Sequence, residues 1–192
     1  MLFKKILSIF TAIALLFLAG CQKEEIKEFP EHVKGTFDFE NVINNTILDG
    51  KPLFTGMKFS DLSKKLTLGD CFLDYEKQHP ENNRHTKVYN FLYDDEDVGS
   101  IELENDSNEV FNIRIEDEFP NEKLSVCGIN LKFTHDDVVK TFGEPINKED
   151  TYEDVDVLKY GVIKKENIYF LFFGSETVKT VNIYIIGGET NE

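Results

Sequence analysis

The residues of this 192-residue chain best suited to covalent or metal chemistry are three cysteines and four histidines. Cys21 follows an apolar run at the amino terminus, whereas Cys71 and Cys127 lie further along the chain. If the protein is exported, these last two thiols meet an oxidising environment in which they could form a disulfide. Two small buried residues are the alternative interpretation, because free cysteine packs well in protein cores. The spacing of the two residues does not decide between these interpretations.

The histidines give little indication of a metal or catalytic centre. His79 and His85 lie in one polar stretch, but their spacing matches no established metal-ligand pattern, which favours a solvated loop. His135 precedes Asp136 and Asp137 and could act with one of these carboxylates in a hydrolase, but no nucleophile stands beside it. We therefore predict a non-enzymatic protein with no catalytic residue, no metal and no cofactor.

The amino terminus is organised like an export signal. Two lysines within Met1 to Lys5 precede an almost continuously apolar run, Ile6 to Leu18. This run is shorter than the roughly 20 residues that span a membrane. It ends in Leu18-Ala19-Gly20-Cys21, which resembles the lipobox of bacterial lipoproteins. The resemblance implies cleavage between Gly20 and Cys21 and a diacylglycerol on the sulfur of Cys21, so that residues 1–20 are a signal peptide. An ordinary secretory signal with a chance cysteine is the alternative.

The net charge excludes one class of partner and constrains how the protein reaches a membrane. Loss of Lys4 and Lys5 with residues 1–20 leaves 19 basic and 36 acidic residues, a net charge of −17. Phosphate binding needs clustered Lys and Arg, so we expect no nucleic acid partner. Anionic headgroups repel such a body, so attachment to the outer membrane or cell membrane, facing the periplasm or exterior, is expected to come from the lipid on Cys21. Residues 21–35 are polar and indicate a tether between lipid and fold.

An internal repeat occupies much of the remaining chain. Lys58 to Asp70 aligns without gaps with Lys132 to Glu144. Each segment has Ser or Thr at an N-cap position and a glycine, Gly69 or Gly143, suited to a left-handed C′ position. Both segments therefore predict a helix of about two turns. Upstream, Leu48-Asp49-Gly50 echoes Val126-Cys127-Gly128, and both predict a small hairpin or bend.

Strands repeat downstream of these segments at a slightly smaller separation along the chain. The best-matching stretches are Val98 to Leu103 with Ile168 to Phe173, and Val110 to Ile115 with Thr180 to Ile185; Val88 to Tyr93 matches roughly Val157 to Val162. In the last strand of each copy, apolar residues alternate (Phe111, Ile113 and Ile115; Val181, Ile183 and Ile185), which predicts a strand with one buried face. Polar turns such as Asp94 to Asp97 predict hairpins. Phe37 to Ile47 indicates one further strand. The predicted fold class is α+β, with two tandem units of a helix and a three-stranded antiparallel meander at residues 36–120 and 121–192.

This plan resembles a known fold. Each unit opens with a Gly followed by Lys-Phe-Ser/Thr, and the second unit continues with an acidic and apolar turn that ends in Phe142-Gly143-Glu144-Pro145. A tandem of such units resembles the β-lactamase-inhibitor-protein-like fold. The same unit occurs singly in small lipoproteins of the outer-membrane barrel-assembly machinery. The resemblance covers roughly residues 46–186 and implies a protein-binding module with a concave sheet surface. The chain departs from it in having no Trp and no cysteine pair within each unit, so no specific target or contact residue is implied.

One predicted sheet face differs between the two copies. If Leu171 and Phe173 face the helix, the opposite face carries Phe170, Phe172 and Tyr184 in the second unit and mainly polar residues in the first. This aromatic face either binds a protein partner or is covered by the first unit or by residues 30–45.

The sequence therefore predicts a lipid-anchored envelope protein that binds another protein, as an inhibitor or immunity protein. A basic partner would suit the acidic body through electrostatic steering. An accessory subunit of an envelope or outer-membrane assembly complex is the second hypothesis, and a hydrolase the third. The chain is small for a two-lobed solute receptor.

Overall fold

The computed structural model describes residues 31, 33–78, 85–145, 151–152, 155–160, 170–174 and 177–185. The predicted signal peptide, Cys21 and most of the predicted tether lie outside these ranges. The helices are α1 (Phe39–Asn44), α2 (Tyr75–Gln78) and α3 (His135–Phe142). The strands are β1 (Thr46–Leu48), β2 (Lys51–Pro52), β3 (Leu66–Asp74), β4 (Thr86–Tyr93), β5 (Glu96–Glu104), β6 (Val110–Ile115), β7 (Leu124–Val126), β8 (Thr151–Tyr152), β9 (Val155–Tyr160), β10 (Phe170–Phe173) and β11 (Thr180–Tyr184).

The fold is a mixture of α and β structure dominated by antiparallel sheet. Eight strands form one sheet in the order β3-β4-β5-β6-β11-β10-β9-β8, and a small second sheet has the order β2-β1-β7. The strands predicted from the repeated stretches are confirmed as β4 to β6 and β9 to β11. β6 and β11 pair in the middle of the large sheet, with Ile113 directly opposite Ile183.

The predicted helix of the second copy is confirmed as α3. Thr134 is its N-cap: the Thr134 hydroxyl accepts a hydrogen bond from the backbone N–H of Asp137 at 3.2 Å. The Thr134 backbone N–H in turn donates to the Asp137 carboxylate at 3.2 Å, which completes a capping box. The helix ends at Gly143, whose φ of +79° and ψ of −163° fall in a region that only glycine adopts readily.

The predicted helix of the first copy is wrong. Lys58 to Asp70 forms a single 3-10 turn at Phe59–Asp61 and then enters β3 at Leu66. Leu66 is buried opposite Tyr93 in the sheet, and Leu68 lies opposite Phe91. Pairing with β4 therefore prevails over the local helix pattern, and Gly69 lies inside a strand.

The residues that precede the first hairpin also differ from expectation. Phe37 to Ile47 forms mainly helix α1, and only Thr46 and Ile47 enter β1. Asp38 caps α1 by accepting a hydrogen bond from the backbone N–H of Asn41 at 3.1 Å. Val42 and Ile43 of this short helix are buried in the core, so the segment contributes apolar surface without extending the sheet.

Both predicted hairpin turns are confirmed. Asp49 and Gly50 join β1 to β2 with φ values of +45° and +76°. Cys127 and Gly128 follow β7 with φ values of +51° and +91°. Positive φ at both central residues is the geometry of a type I′ turn. The acidic run from Asp94 likewise forms the turn between β4 and β5.

One hydrophobic core joins the two halves of the described chain. It includes Val42 of α1, Ile101 and Ile113 of the first three-stranded stretch, and Phe172 and Ile183 of the second. An aromatic cluster closes one end of this core, with ring centroids 5.5 Å apart for Phe142 and Phe172. In the same cluster, Phe37 stacks on Tyr160 at 5.6 Å. The segment before α1 therefore packs directly on the second half.

Candidate protein-binding face

One face of the eight-stranded sheet carries a row of polar side chains across its centre. Directly opposite residues of antiparallel strands project from the same face. Register therefore aligns Asn90, Ser100, Arg114 and Asn182 on successive strands β4, β5, β6 and β11. Lys159 of β9 continues the row beyond β10. We call this side of the sheet the polar face.

A second row on the polar face lies two residues away along each strand. It contains Val88, Glu102, Asn112 and Tyr184. Glu102 is only 5% exposed, and the Thr86 hydroxyl donates a short hydrogen bond to its carboxylate. The half-buried Tyr184 ring packs edge-on to Phe111 with centroids 6.3 Å apart. This row therefore brings a carboxylate, an amide and an aromatic ring together.

Two amide oxygens on the polar face have no hydrogen-bond partner among the described residues. They are Oδ1 of Asn112 and Oδ1 of Asn182, and both atoms are buried. The whole Asn182 residue is 9% exposed. By contrast, the Arg114 side chain is 46% exposed, and its Nε donates to Glu116 at 2.9 Å. The centre of the face thus combines an exposed cationic group with two buried acceptors.

The aromatic residues predicted for a binding face do not lie there together. Phe172 is fully buried and packs on Phe142 and Tyr160 in the core, so its side chain is covered and is not offered to a partner in this structure. Tyr184 is on the polar face. Phe170 pairs through its backbone with Ile183 and Tyr160, and its side chain lies outside the described part.

A one-residue error in the repeat alignment explains this outcome. Ile101 lies opposite Ile113 in the first half, whereas it is Phe170, and not Leu171, that lies opposite Ile183 in the second. A shift of one residue moves every side chain of a strand to the other face. Four consecutive apolar residues, Phe170 to Phe173, gave no alternation from which the correct face could be identified.

Cys71 and Cys127, the two thiols considered for a disulfide, are both free in this structure. Cys71 is exposed on β3, at the edge of the large sheet. Cys127 is partly buried in the turn after β7, with its sulfur 3.9 Å from the carbonyl oxygen of Val42. Burial raises the pKa of the Cys127 thiol to about 12, which makes it a weak nucleophile at neutral pH.

Of the residues considered for a hydrolase, Asp137 lines a cavity. A space of about 510 Å³ near the start of α3 is lined by Asn121, Glu122, Asn130, Lys132, Phe133 and Asp137. The Asp137 carboxylate accepts hydrogen bonds from the Thr134 hydroxyl and backbone, which hold its pKa below the usual value. His135 Nε2 is buried and has no partner within the described ranges. Asp137 is therefore engaged in capping the helix.

The described part of the chain contains neither a cluster of metal ligands nor a membrane-spanning helix. No group of three or more His, Cys, Asp or Glu there could hold a metal ion. His85 lies 3.7 Å from the Glu76 carboxylate, and His79 is outside the described residues. No helix in the same ranges is long and apolar enough to cross a membrane.

Comparisons with protein-family models, with curated proteins and with solved structures find no match to this chain.

Proposed function

We propose that this protein is a lipid-anchored protein of a bacterial cell envelope whose folded body binds another protein without catalysing a reaction. The observation that carries the anchor is the lipobox-like Leu18-Ala19-Gly20-Cys21 at the end of a short apolar run. In this proposal Cys21 holds the lipid, and residues 21–35 separate the membrane from the fold.

We also infer that the body consists of two tandem copies of one unit related by an approximate two-fold axis. The β6 and β11 register supports this inference. Ile113 lies opposite Ile183, its own equivalent in the alignment of the two copies. Arg114 lies opposite Asn182 while Asn112 lies opposite Tyr184, so equivalent residues exchange partners. Such reciprocity is the mark of a two-fold contact.

The small sheet has the same reciprocity. Ile47 lies opposite Ser125, which is its equivalent when the hairpin motifs that begin at Leu48 and Val126 are aligned. Thr46 lies opposite Val126, while Leu48 lies opposite Leu124. Sequence and register together support a duplicated unit whose first copy has a strand where the second has a helix.

The polar face is the part of the body that best supports protein binding. It lies opposite the buried face of the sheet and carries the exposed Arg114 guanidinium and the Tyr184 ring, both residue types that are enriched in protein interfaces. The net charge of −17 left after removal of the signal favours a basic partner by accelerating encounter. An inhibitor or immunity protein of the envelope is the form of this function that we favour.

Lipid attachment is tested by replacing Cys21 with Ser in cells that are fed an alkyne-bearing fatty acid. We expect the wild-type chain to acquire the label and to sediment with membranes, and Cys21→Ser to lose both properties. Cys71→Ser is the matched control, because it removes an exposed thiol that the proposal does not use. Fatty-acid label on Cys21→Ser, or no label on the wild type, would contradict the proposed lipid anchor.

Protein binding is tested with a photo-crosslinking amino acid placed at Arg114 in lipidated protein in its native membrane, with the same group at Asp95 as control. One basic protein captured from Arg114 but not from Asp95 supports an inhibitor. Capture of subunits of an envelope assembly complex supports the accessory-subunit hypothesis instead. Equal capture from both positions, or none, contradicts a binding function of the polar face.

A further inference from the structure

Two amide oxygens without hydrogen-bond partners among the described residues, at the centre of the polar face, indicate what kind of group the partner presents. Asn112 and Asn182 occupy diagonal positions across the β6 and β11 pair, and such neighbours lie about 7–8 Å apart. Both Oδ1 atoms are buried and accept no hydrogen bond from the described residues. Native proteins rarely leave buried polar atoms unpaired, so these positions call for an external partner.

The missing partner must be a hydrogen-bond donor, because the unpaired atoms are carbonyl oxygens that only accept. Asn182 is more than nine-tenths buried, with 9% of its surface exposed. Little of the Asn182 surface is open, so the donor has to be carried at the tip of a side chain. Lysine and arginine side chains carry three and five donors, respectively, at the end of a flexible stem.

The electrostatics of the neighbouring groups select a cation. Glu102 lies directly opposite Asn112 on one side, and Tyr184 lies directly opposite it on the other. A carboxylate attracts a cation, and an aromatic ring can accept one on its face. The competing positive charge of Arg114 is paired with Glu116 at 2.9 Å. Lys159, the other cation of the row, is two strands from Asn182, about 10 Å away.

We propose that Asn112 and Asn182, together with Glu102 and Tyr184, form a seat for a lysine or arginine side chain of the protein partner. This inference rests on the proposed protein-binding function and adds the chemistry of the contact. The partner's cationic side chain donates to the two amide oxygens and packs against the Tyr184 ring.

The test uses full-length lipidated protein in detergent micelles and the peptide acetyl-Gly-Arg-Gly-amide as the probe. The matched peptide with citrulline in place of arginine keeps the shape and removes the charge. We expect the arginine peptide to shift the side-chain amide resonances of Asn112 and Asn182 in NMR titrations. Binding of the citrulline peptide should be at least tenfold weaker, and equal binding of the two peptides would overturn the proposal.

Substitutions at Asn182 provide a second test of the same proposal. Asn182→Leu should weaken the arginine peptide at least tenfold, whereas Asn182→Asp should strengthen it by adding a carboxylate. Asn90→Leu, on the same polar row but away from the seat, is the control and should bind like wild type. Circular dichroism confirms folding, and Asn182→Asp keeps the test decisive if the leucine variant fails to fold. Equal affinity of the wild type and both Asn182 variants would contradict the seat.

Failure of this inference is distinguishable from failure of the proposed function. The crosslinking experiment at position 114 is repeated in the Asn182→Leu background. If wild type and variant capture the same partner equally, the seat is wrong and the binding function stands. If the wild type captures no partner, the binding function fails whatever the peptides do.

Discussion

Asp49 illustrates how a turn residue can attach a hairpin to the core. Its side chain is 8% exposed and accepts hydrogen bonds from the Ser63 hydroxyl, from Tyr93 at 3.2 Å and from the Lys123 ammonium at 3.4 Å. Its backbone N–H also donates to the Lys123 carbonyl at 2.7 Å. Burial alone would raise the pKa of Asp49, but the donors from Ser63, Lys123 and Tyr93 lower it below the usual value.

The lowered pKa of Asp49 predicts a pH dependence of stability. A folded-state pKa below the unfolded value of about 3.9 stabilises the protein above that pH, and this contribution is lost as the pH falls through the folded pKa. Asp49→Asn preserves an Asx-Gly turn but removes the charge. We expect it to lower the free energy of unfolding by about 1–3 kcal/mol at pH 7 and by less at pH 2–3. Urea unfolding at both pH values checks this, and an equal difference at the two would contradict it.

The positions of Phe172 and Tyr184 predict different costs of truncation. Phe172 is fully buried against Phe142 and Tyr160, so Phe172→Ala should lower the free energy of unfolding by about 3–5 kcal/mol. Tyr184 is half-buried on the polar face, so Tyr184→Ala should cost about 1 kcal/mol, typical of a partly exposed site. Chemical denaturation of both variants measures the difference. Similar losses would show that Tyr184 is a core residue too.

At the residue scale, features that depend only on nearby residues in the chain are predictable from the sequence. The Thr134 cap and the Asp49-Gly50 turn depend on contacts between near neighbours in the chain and were predicted. The direction of Phe172 depends on the register between strands, and an uninterrupted apolar run contains no information about it. The sequence pattern placed Asn112 and Asn182 on the face away from the helix, but it could not show that their Oδ1 atoms lack hydrogen-bond partners in the described part of the chain, because partners depend on the neighbouring strands.

At the scale of elements, two similar segments fold differently. Thr134 and Asp137 form a capping box that starts α3. At the corresponding positions the first copy has Ser60 and Ser63, and the Ser63 hydroxyl donates to Asp49 instead of capping a helix. The residues that follow, Leu66-Thr67-Leu68, combine two apolar side chains with a β-branched one, and they pair with β4. Similar sequence patterns therefore predict the same element in both segments, but tertiary contacts change that element in the first.

The end of α3 makes a specific prediction about Gly143. A Cβ at this position would lie 2.6 Å from the carbonyl oxygen of Gly35. Gly35 is held there because its backbone N–H donates to the carbonyl oxygen of Thr141 at 2.9 Å. The backbone also has a positive φ, so Gly143→Ala should lose roughly 3 kcal/mol of unfolding free energy.

Gly128→Ala is the matched control for Gly143→Ala. Gly128 also has a positive φ, at +91°, but an added Cβ meets nothing within 4 Å. This variant should lose only the strain cost of about 1 kcal/mol. Thermal and urea unfolding of both proteins measure the comparison. Equal losses would mean that the crossing of the Gly35 segment over the helix end contributes nothing.

For the whole molecule, the repeated stretches predicted six strands of the large sheet and their grouping into two sets of three. They did not predict that the sets join through β6 and β11, because pairing between distant strands depends on complementary edges, which single-strand patterns do not encode. The continuous sheet joins the two halves through their central strands. Core residues as distant as Val42 and Ile183 belong to the same cluster.

This shared core predicts that the two halves unfold together. Ile183 is 1% exposed at the junction, opposite Ile113, and Ile183→Ala should lower the free energy of unfolding by about 2–5 kcal/mol. Because the sheet is continuous, amide hydrogen exchange should accelerate by a similar factor in β4 of the first half and in β10 of the second. Ile47→Ala, at a 43% exposed site, is the control and should change neither strand. Faster exchange confined to β10 would show that the halves unfold separately and that the junction is a contact between two independent domains.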